Sequence, residues 1–65
     1  MSLKDFLKEK NISQKDLSIR TGITEASISR YINKTRKMGL ENACKIAIAL
    51  DISIDELVRI YVKGE

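Results

Sequence analysis

The sequence lacks several residue types on which catalytic and metal sites depend. It contains no histidine, the commonest metal ligand and general base, and its single cysteine, Cys44, has no partner for an internal disulfide or a cysteine-based metal site. Proline and tryptophan are absent, and the few aromatic residues are Phe6, Tyr31 and Tyr61. We therefore predict that the chain is not an enzyme, that it needs no cofactor or metal, and that aliphatic residues build its core.

Long apolar runs are also missing. No run approaches the ~20 residues of a membrane span, and the first residues do not follow a signal-peptide pattern, so we expect no membrane association. With 65 residues, of which 43% are hydrophobic, the chain is long enough for one small core. We predict a single domain over residues 1–65, and a chain of this size leaves little volume for a small-molecule pocket.

The positive charge is concentrated in the middle of the chain. Residues 26–40 carry four basic side chains and no acidic one, a net of +4, whereas residues 41–65 carry three basic and five acidic ones, a net of −2. Such a patch attracts polyanions, although a solvated loop that keeps a small protein soluble explains it equally well.

Helical spacing of apolar residues runs through almost the whole chain and predicts an all-α fold. Serine or threonine precedes four of the apolar segments, as expected for N-caps, at Ser2, Ser13, Thr24 and Ser53. We predict five short helices: one after Ser2, one from Ser13 to Gly22, one from Thr24 to about 33, one over residues 40–50 and one after Ser53. The longest loop, residues 34–39, is called the basic loop below, because it contains Lys34, Arg36 and Lys37.

The third helix has two different faces. At about 100° per residue, Ile28 and Tyr31 lie on one side, with Ile32 at the boundary. The opposite side holds mostly short polar or small side chains, which would allow its backbone to approach a surface such as the major groove of DNA closely. That side consists of Glu25, Ala26, Ser29, Arg30 and Asn33.

Two separated motifs resemble one family. The run QKDLSIRTGITEASISRYIN is similar to the helix-turn-helix of the phage-repressor type, also called the xenobiotic-response-element type, and KIAIALDISIDELV is similar to the later part of the same domain. Together they cover about residues 3–58. The resemblance implies a compact five-helix, lambda-repressor-like domain, with the helix-turn-helix at about residues 13–33, that binds double-stranded operator DNA, usually as a dimer. It also implies a cytoplasmic protein of bacterial or phage origin, associated with the nucleoid.

The resemblance assigns expected roles to individual residues. Glu25, Ala26 and Arg30 fall on base-reading positions, and Ser29 lies on the same face. Arg30 is suited to guanine, Glu25 to a cytosine amino group and Ala26 to a thymine methyl group. We expect contacts with phosphates or the groove edge from a second set: Gln14, Thr24, Ser27, Asn33, Lys34, Arg36 and Lys37.

Three features depart from the family pattern. Lys34 stands where a helix-ending glycine is common, so the chain must either leave the helix differently or place a lysine in the left-handed region. Met38 stands near a common proline, which predicts a less rigid loop. Leu7 and Ile32 replace an arginine and a glutamate that often form an ion pair, and we infer that these two apolar residues pack together.

The last helix offers a surface for a second subunit. Ile54, Leu57, Val58 and Tyr61 lie along one stripe, with Ile60 beside it, and residues 54–62 therefore form a candidate homodimer interface. The alternative is that the tail folds back over the core. The leading functional prediction is a small repressor, and the alternative is a protein-interaction module, such as an antitoxin or anti-repressor, on the same fold.

Overall fold

Short polar residues precede four of the five helices in the computed structural model, which describes residues 2–63. The helices are α1 (Leu3–Glu9), α2 (Gln14–Thr21), α3 (Glu25–Ile32), α4 (Leu40–Leu50) and α5 (Ile54–Lys63). The described residues contain no strand, so the predicted all-α, five-helix fold is confirmed. Within residues 2–63, no helix is long and apolar enough to cross a membrane.

Hydroxyl side chains begin the helices as the sequence predicts. The hydroxyl oxygens of Ser2, Ser13 and Thr24 accept hydrogen bonds from the backbone N–H groups three residues later. Ser53 does the same for Glu56 at 3.1 Å. Each bond satisfies one backbone donor that a helix leaves free at its start. A reciprocal capping box is present at α2, where the Asp16 carboxylate accepts from the Ser13 N–H at 3.2 Å.

Left-handed residues other than glycine end three of the helices. Asn11, Lys34 and Asp51 have φ of 59°, 58° and 57°. After α3, the Thr35 N–H donates to the Arg30 carbonyl at 2.9 Å and the Lys34 N–H donates to the Tyr31 carbonyl at 3.1 Å. This pair of bonds is a Schellman motif, in which glycine is the usual left-handed residue. The sequence allowed two endings for α3, and the chain adopts the strained one, in which Lys34 lies in the left-handed region.

The core forms where all five helices meet. Its most completely buried side chains are Leu17, Ile28, Ile46 and Leu57, which come from α2, α3, α4 and α5. Helix α2 packs against α3 and α4, while α5 packs against α1 and α4. Because helices this short are marginal alone, this shared burial holds them in place.

The core also corrects part of the predicted dimer surface. Leu57 is 1% exposed and Ile60 is 9% exposed, so both belong to the chain's own core and neither is available to a second subunit. Ile54 is half-buried against the same core. Spacing along α5 predicts which apolar residues neighbour one another, but α1 and α4 bury more of these residues than the sequence indicates.

Leu7 and Ile32 border one cleft between α1, α2 and α3, with a volume of about 280 Å³. Leu7 is buried in the core and Ile32 is half-buried against it. The two positions at which the sequence departs from the expected ion pair therefore hold apolar side chains that line the same cleft. Their direct packing stays a prediction.

Candidate nucleic-acid interface

The turn between α2 and α3 is closed by hydrogen bonds. Gly22 adopts φ 77°, and its N–H donates to the Ser18 carbonyl at 2.8 Å. The Ser18 hydroxyl donates to the Ile23 carbonyl, and the Ile23 N–H donates to the Thr21 hydroxyl oxygen at 3.1 Å. Side chains thus satisfy the backbone on both sides of Ile23, which is itself buried. The two helices are joined in a defined orientation.

Helix α3 is anchored by its apolar face. Ile28 and Tyr31 are buried, and the predicted boundary residue Ile32 is half-buried. Ile23 precedes the N-cap and enters the same core as Ile28, as in a hydrophobic staple. The Tyr31 hydroxyl oxygen accepts from the Asn42 side-chain amide at 2.7 Å, which links α3 to α4. The faces predicted for this helix are confirmed.

The opposite face of α3 is open to solvent. Glu25, Ala26 and Arg30 are exposed, and Ser29 is half-buried beside them. The salt bridge found among the described residues joins Lys45 to Glu41 on α4, so it does not involve this face. The Glu25 and Arg30 side chains therefore remain available to an external partner, and helical spacing places them on one side.

Hydroxyl groups along α3 are arranged in two local pairs. Thr24 accepts from the Ser27 N–H at 3.2 Å, and its own hydroxyl donates to Ser27 Oγ at 3.0 Å. In this arrangement Ser27 Oγ acts as the acceptor, so its own O–H is left to donate to another group. The Asn33 amide donates to Ser29 Oγ at 3.5 Å, a long bond that a stronger external acceptor would replace at little cost.

The basic loop continues from the end of α3. Lys34, Arg36 and Lys37 are all exposed, whereas Met38 is half-buried against the core. Helix α5 reaches this loop, because the Tyr61 hydroxyl donates to the Arg36 carbonyl at 3.0 Å. Three exposed cations therefore follow the C-terminal end of α3.

A comparison with protein-family models decides what this arrangement is. The model of the Cro/C1-type helix-turn-helix DNA-binding domain matches residues 2–63. The chain belongs to the Cro/C1-type DNA-binding family. This confirms the resemblance inferred from the two sequence motifs, and it identifies a DNA-binding domain of the helix-turn-helix type. Searches of curated proteins and of solved structures gave no significant match.

In this Cro/C1-type domain a carboxylate lies at the start of α2. The Asp16 carboxylate accepts a hydrogen bond from the backbone N–H of the N-cap residue Ser13. This bond is the main cause that lowers the pKa of the Asp16 carboxyl, and the hydrogen bond with the Ser13 side chain is the second. A carboxylate at this position offsets the positive end of the helix dipole. A phosphate contact at α2 would therefore depend mainly on the Gln14 side chain, which is half-buried.

Two lysines of α1 lie near the same place and were missed by the sequence interpretation. Lys4 and Lys8 border the cleft that Gln14 also lines. Their spacing of four residues indicates a shared helix face. Only the packing of α1 beside the start of α2 reveals that this face adjoins the helix-turn-helix. They add positive charge beside Gln14 at the start of α2.

Proposed function

We propose that the protein is a sequence-specific transcriptional repressor that binds a two-fold symmetric operator as a homodimer. The observation that carries this proposal is the contrast between the two faces of α3. One face is locked into the core, while the other presents Glu25, Ala26 and Arg30 to solvent. Such a face fits the major groove, where Arg30 would recognise guanine and Glu25 a cytosine amino group. The proposal places the protein with cellular DNA, in the cytoplasm of a bacterium or phage host.

The remaining polar residues fit contacts with the DNA backbone. Lys34, Arg36 and Lys37 carry exposed cations at one end of α3, and Gln14 lies at the start of α2. Thr24, Ser27 and Asn33 supply neutral groups along the edge of the helix. Backbone contacts position a protein on the duplex without reading sequence, so these residues would set affinity and orientation while α3 sets specificity.

The proposed dimer uses a smaller surface than the sequence predicted. Val58 and Val62 are 48% and 60% exposed on α5, and Tyr61 lies between them, half-buried. Asp55 and Arg59 flank the two valines in one surface depression. Because a two-fold interface pairs a patch with itself, Asp55 of one copy would face Arg59 of the other around the paired valines. This arrangement of charges favours a second copy of the chain as the partner that binds this surface of α5.

The proposed DNA recognition is tested by selecting sites from a random duplex library with wild type and Arg30→Ala in parallel. We expect an enriched two-fold symmetric site with wild type. The Arg30→Ala variant should lose about 1–3 kcal/mol of binding free energy and relax the preference at one position of each half-site. Retention without sequence preference would contradict the proposal.

The proposed interface is tested by sedimentation of the free protein and of its operator complex. Val58→Lys should shift the protein toward monomer. Asp55→Arg should weaken association, and the swap Asp55→Arg with Arg59→Asp should restore it. Ile48→Lys on α4 is the matched control, since Ile48 is also exposed but lies on another helix. An Ile48 effect as large as that of Val58 would place the interface elsewhere.

One observation favours the alternative of a protein-interaction module. Ile19, Leu40 and Ile48 are apolar and mostly exposed on α2 and α4. If the chain were an antitoxin or anti-repressor, substitution of these residues by lysine would abolish its biological effect while leaving the binding of duplex DNA unchanged. If Arg30→Ala alone abolishes the effect, the repressor function is favoured.

A further inference from the structure

Tyr61 makes the longest-range side-chain hydrogen bond described in the molecule. Its hydroxyl donates to the main-chain carbonyl of Arg36 at 3.0 Å, across 25 positions of sequence. The donor is on α5, next to the valines of the proposed interface, and the acceptor is between Lys34 and Lys37. One hydroxyl group thus connects the last helix to the basic loop.

The middle of the basic loop has few other restraints. At its start, the N–H groups of Lys34 and Thr35 bond to carbonyls of α3, and at its end the Gly39 carbonyl accepts from Ala43 in the first turn of α4. Between these points, residues 36–38 are held by the Tyr61 bond and by the partial burial of Met38. No proline stiffens the segment. Its position therefore depends on α5.

Tyr61 and the loop also share one apolar cleft. The cleft has a volume of about 200 Å³, and its lining includes Lys37, Met38, Val58, Tyr61 and Val62. The ring of Tyr61 packs partly against the core while its hydroxyl reaches the loop. The hydrogen bond from the Tyr61 hydroxyl fixes the direction of the Arg36 carbonyl. It therefore fixes the peptide group between Arg36 and Lys37, from which both side chains extend.

From this geometry we propose that Tyr61 is a positioning residue for DNA binding. Its hydroxyl holds the basic loop so that Arg36 and Lys37 are placed for phosphates, and it links the α5 surface to affinity for DNA. The inference rests on the proposed function and deepens it, because it assigns to α5 a part in the contact with the DNA backbone. It also predicts that sequence preference, which is set on α3, is independent of Tyr61.

The test is Tyr61→Phe in two backgrounds, the wild-type chain and the double variant Arg36→Ala with Lys37→Ala. The alanine substitutions keep the acceptor, since it is a main-chain carbonyl. In the wild-type background, we expect Tyr61→Phe to weaken binding of a selected duplex and of a random duplex by the same factor, about three- to tenfold. In the double-variant background, the same substitution should change affinity less than about twofold, because the cations that it positions are gone.

Tyr31→Phe is the matched control, because it removes the hydroxyl that bonds to Asn42 of α4 and not to the loop. Its effect on binding should be equal in the two backgrounds. Amide chemical shifts give a second readout, and Tyr61→Phe should change mainly those of residues 36–38. These measurements use fluorescence anisotropy and nuclear magnetic resonance on the full chain.

Three outcomes would overturn the inference: unchanged affinity of Tyr61→Phe, an equal loss in both backgrounds, or shift changes spread over the core. An equal loss is also the result expected if Tyr61 acts only through stability or self-association. Failure of the proposed function is distinguishable, since it would appear as absence of sequence preference in the wild-type protein itself.

Discussion

Lys34 occupies a backbone conformation that suits glycine, and replacing this lysine by glycine should stabilise the protein. Its φ is 58°, and its N–H bonds to the Tyr31 carbonyl within the Schellman motif that ends α3. The side chain is exposed and lies outside the core. Lys34→Gly therefore changes the local backbone energy without opening a cavity.

The magnitude follows from two opposing terms. A residue with a Cβ atom costs roughly 1–2 kcal/mol in the left-handed region, and glycine removes this cost. Glycine also gives the unfolded chain more freedom, which offsets about 0.4–1 kcal/mol. The net gain in the free energy of unfolding is about 0.5–1 kcal/mol. With an unfolding entropy of about 2.1 cal/mol/K per residue, Tm should rise by about 4–7 °C.

Thermal and urea unfolding followed by circular dichroism measure this gain. Lys34→Ala is the first control, because it removes the same charge and keeps a Cβ atom at positive φ. Asn11→Gly is the second, since Asn11 has the same conformation at the end of α1 and asparagine tolerates it well. The reasoning is refuted if Lys34→Gly is no more stable than Lys34→Ala, or if Asn11→Gly gains as much as Lys34→Gly.

Both Lys34 variants should also bind DNA more weakly. If Lys34 contacts a phosphate, its loss should lower the slope of log affinity against log salt by about one unit, equally for glycine and alanine. Stability and affinity would then change in opposite directions in Lys34→Gly, which indicates that the strained lysine is retained for binding.

Three further predictions concern other parts of the domain. Gly22→Ala should lower the free energy of unfolding by about 1 kcal/mol, measured in urea, because a Cβ atom is strained at φ 77° although the space around it is open. Lys37→Ala should weaken binding to selected and random duplexes alike and lower the salt slope by about one unit, and a loss confined to the selected site would contradict its assignment to a phosphate. Asp16 has a folded-state pKa below its ordinary value of 3.8, so its contribution to stability is present above that value and is lost as the pH falls through the folded-state pKa. Urea midpoints between about pH 5 and 3 should therefore fall more steeply for wild type than for Asp16→Asn, and parallel curves would show that Asp16 does not contribute.

Local features of this protein were predictable because their causes are local. Ser13 and Thr24 bond to backbone groups three residues away, so they mark helix starts whatever the rest of the chain does. The faces of α3 follow from helical spacing, and the exposure of Glu25, Ala26 and Arg30 was predictable for the same reason. Even the left-handed conformation of Lys34 at the end of α3 was one of the two endings that the sequence allowed.

Features that depend on which helices meet were not predictable in the same way. Leu57, Val58, Ile60 and Tyr61 are all apolar or amphipathic at neighbouring positions of α5, and spacing alone does not show which of them α1 and α4 cover. The placement of Lys4 and Lys8 beside Gln14 likewise requires the packing of α1.

The amino-acid sequence by itself determined the five helices, their caps, the family and the face of α3 that is open to solvent, because hydrogen bonds and periodicity within a few residues decide these features. Tertiary structure alone decided that Leu57 and Ile60 are core residues while Val58 and Val62 are exposed. It also decided that Tyr61 holds the basic loop through Arg36. Burial and long-range hydrogen bonds depend on the partner that an element meets, and that partner is set only when all five helices pack together.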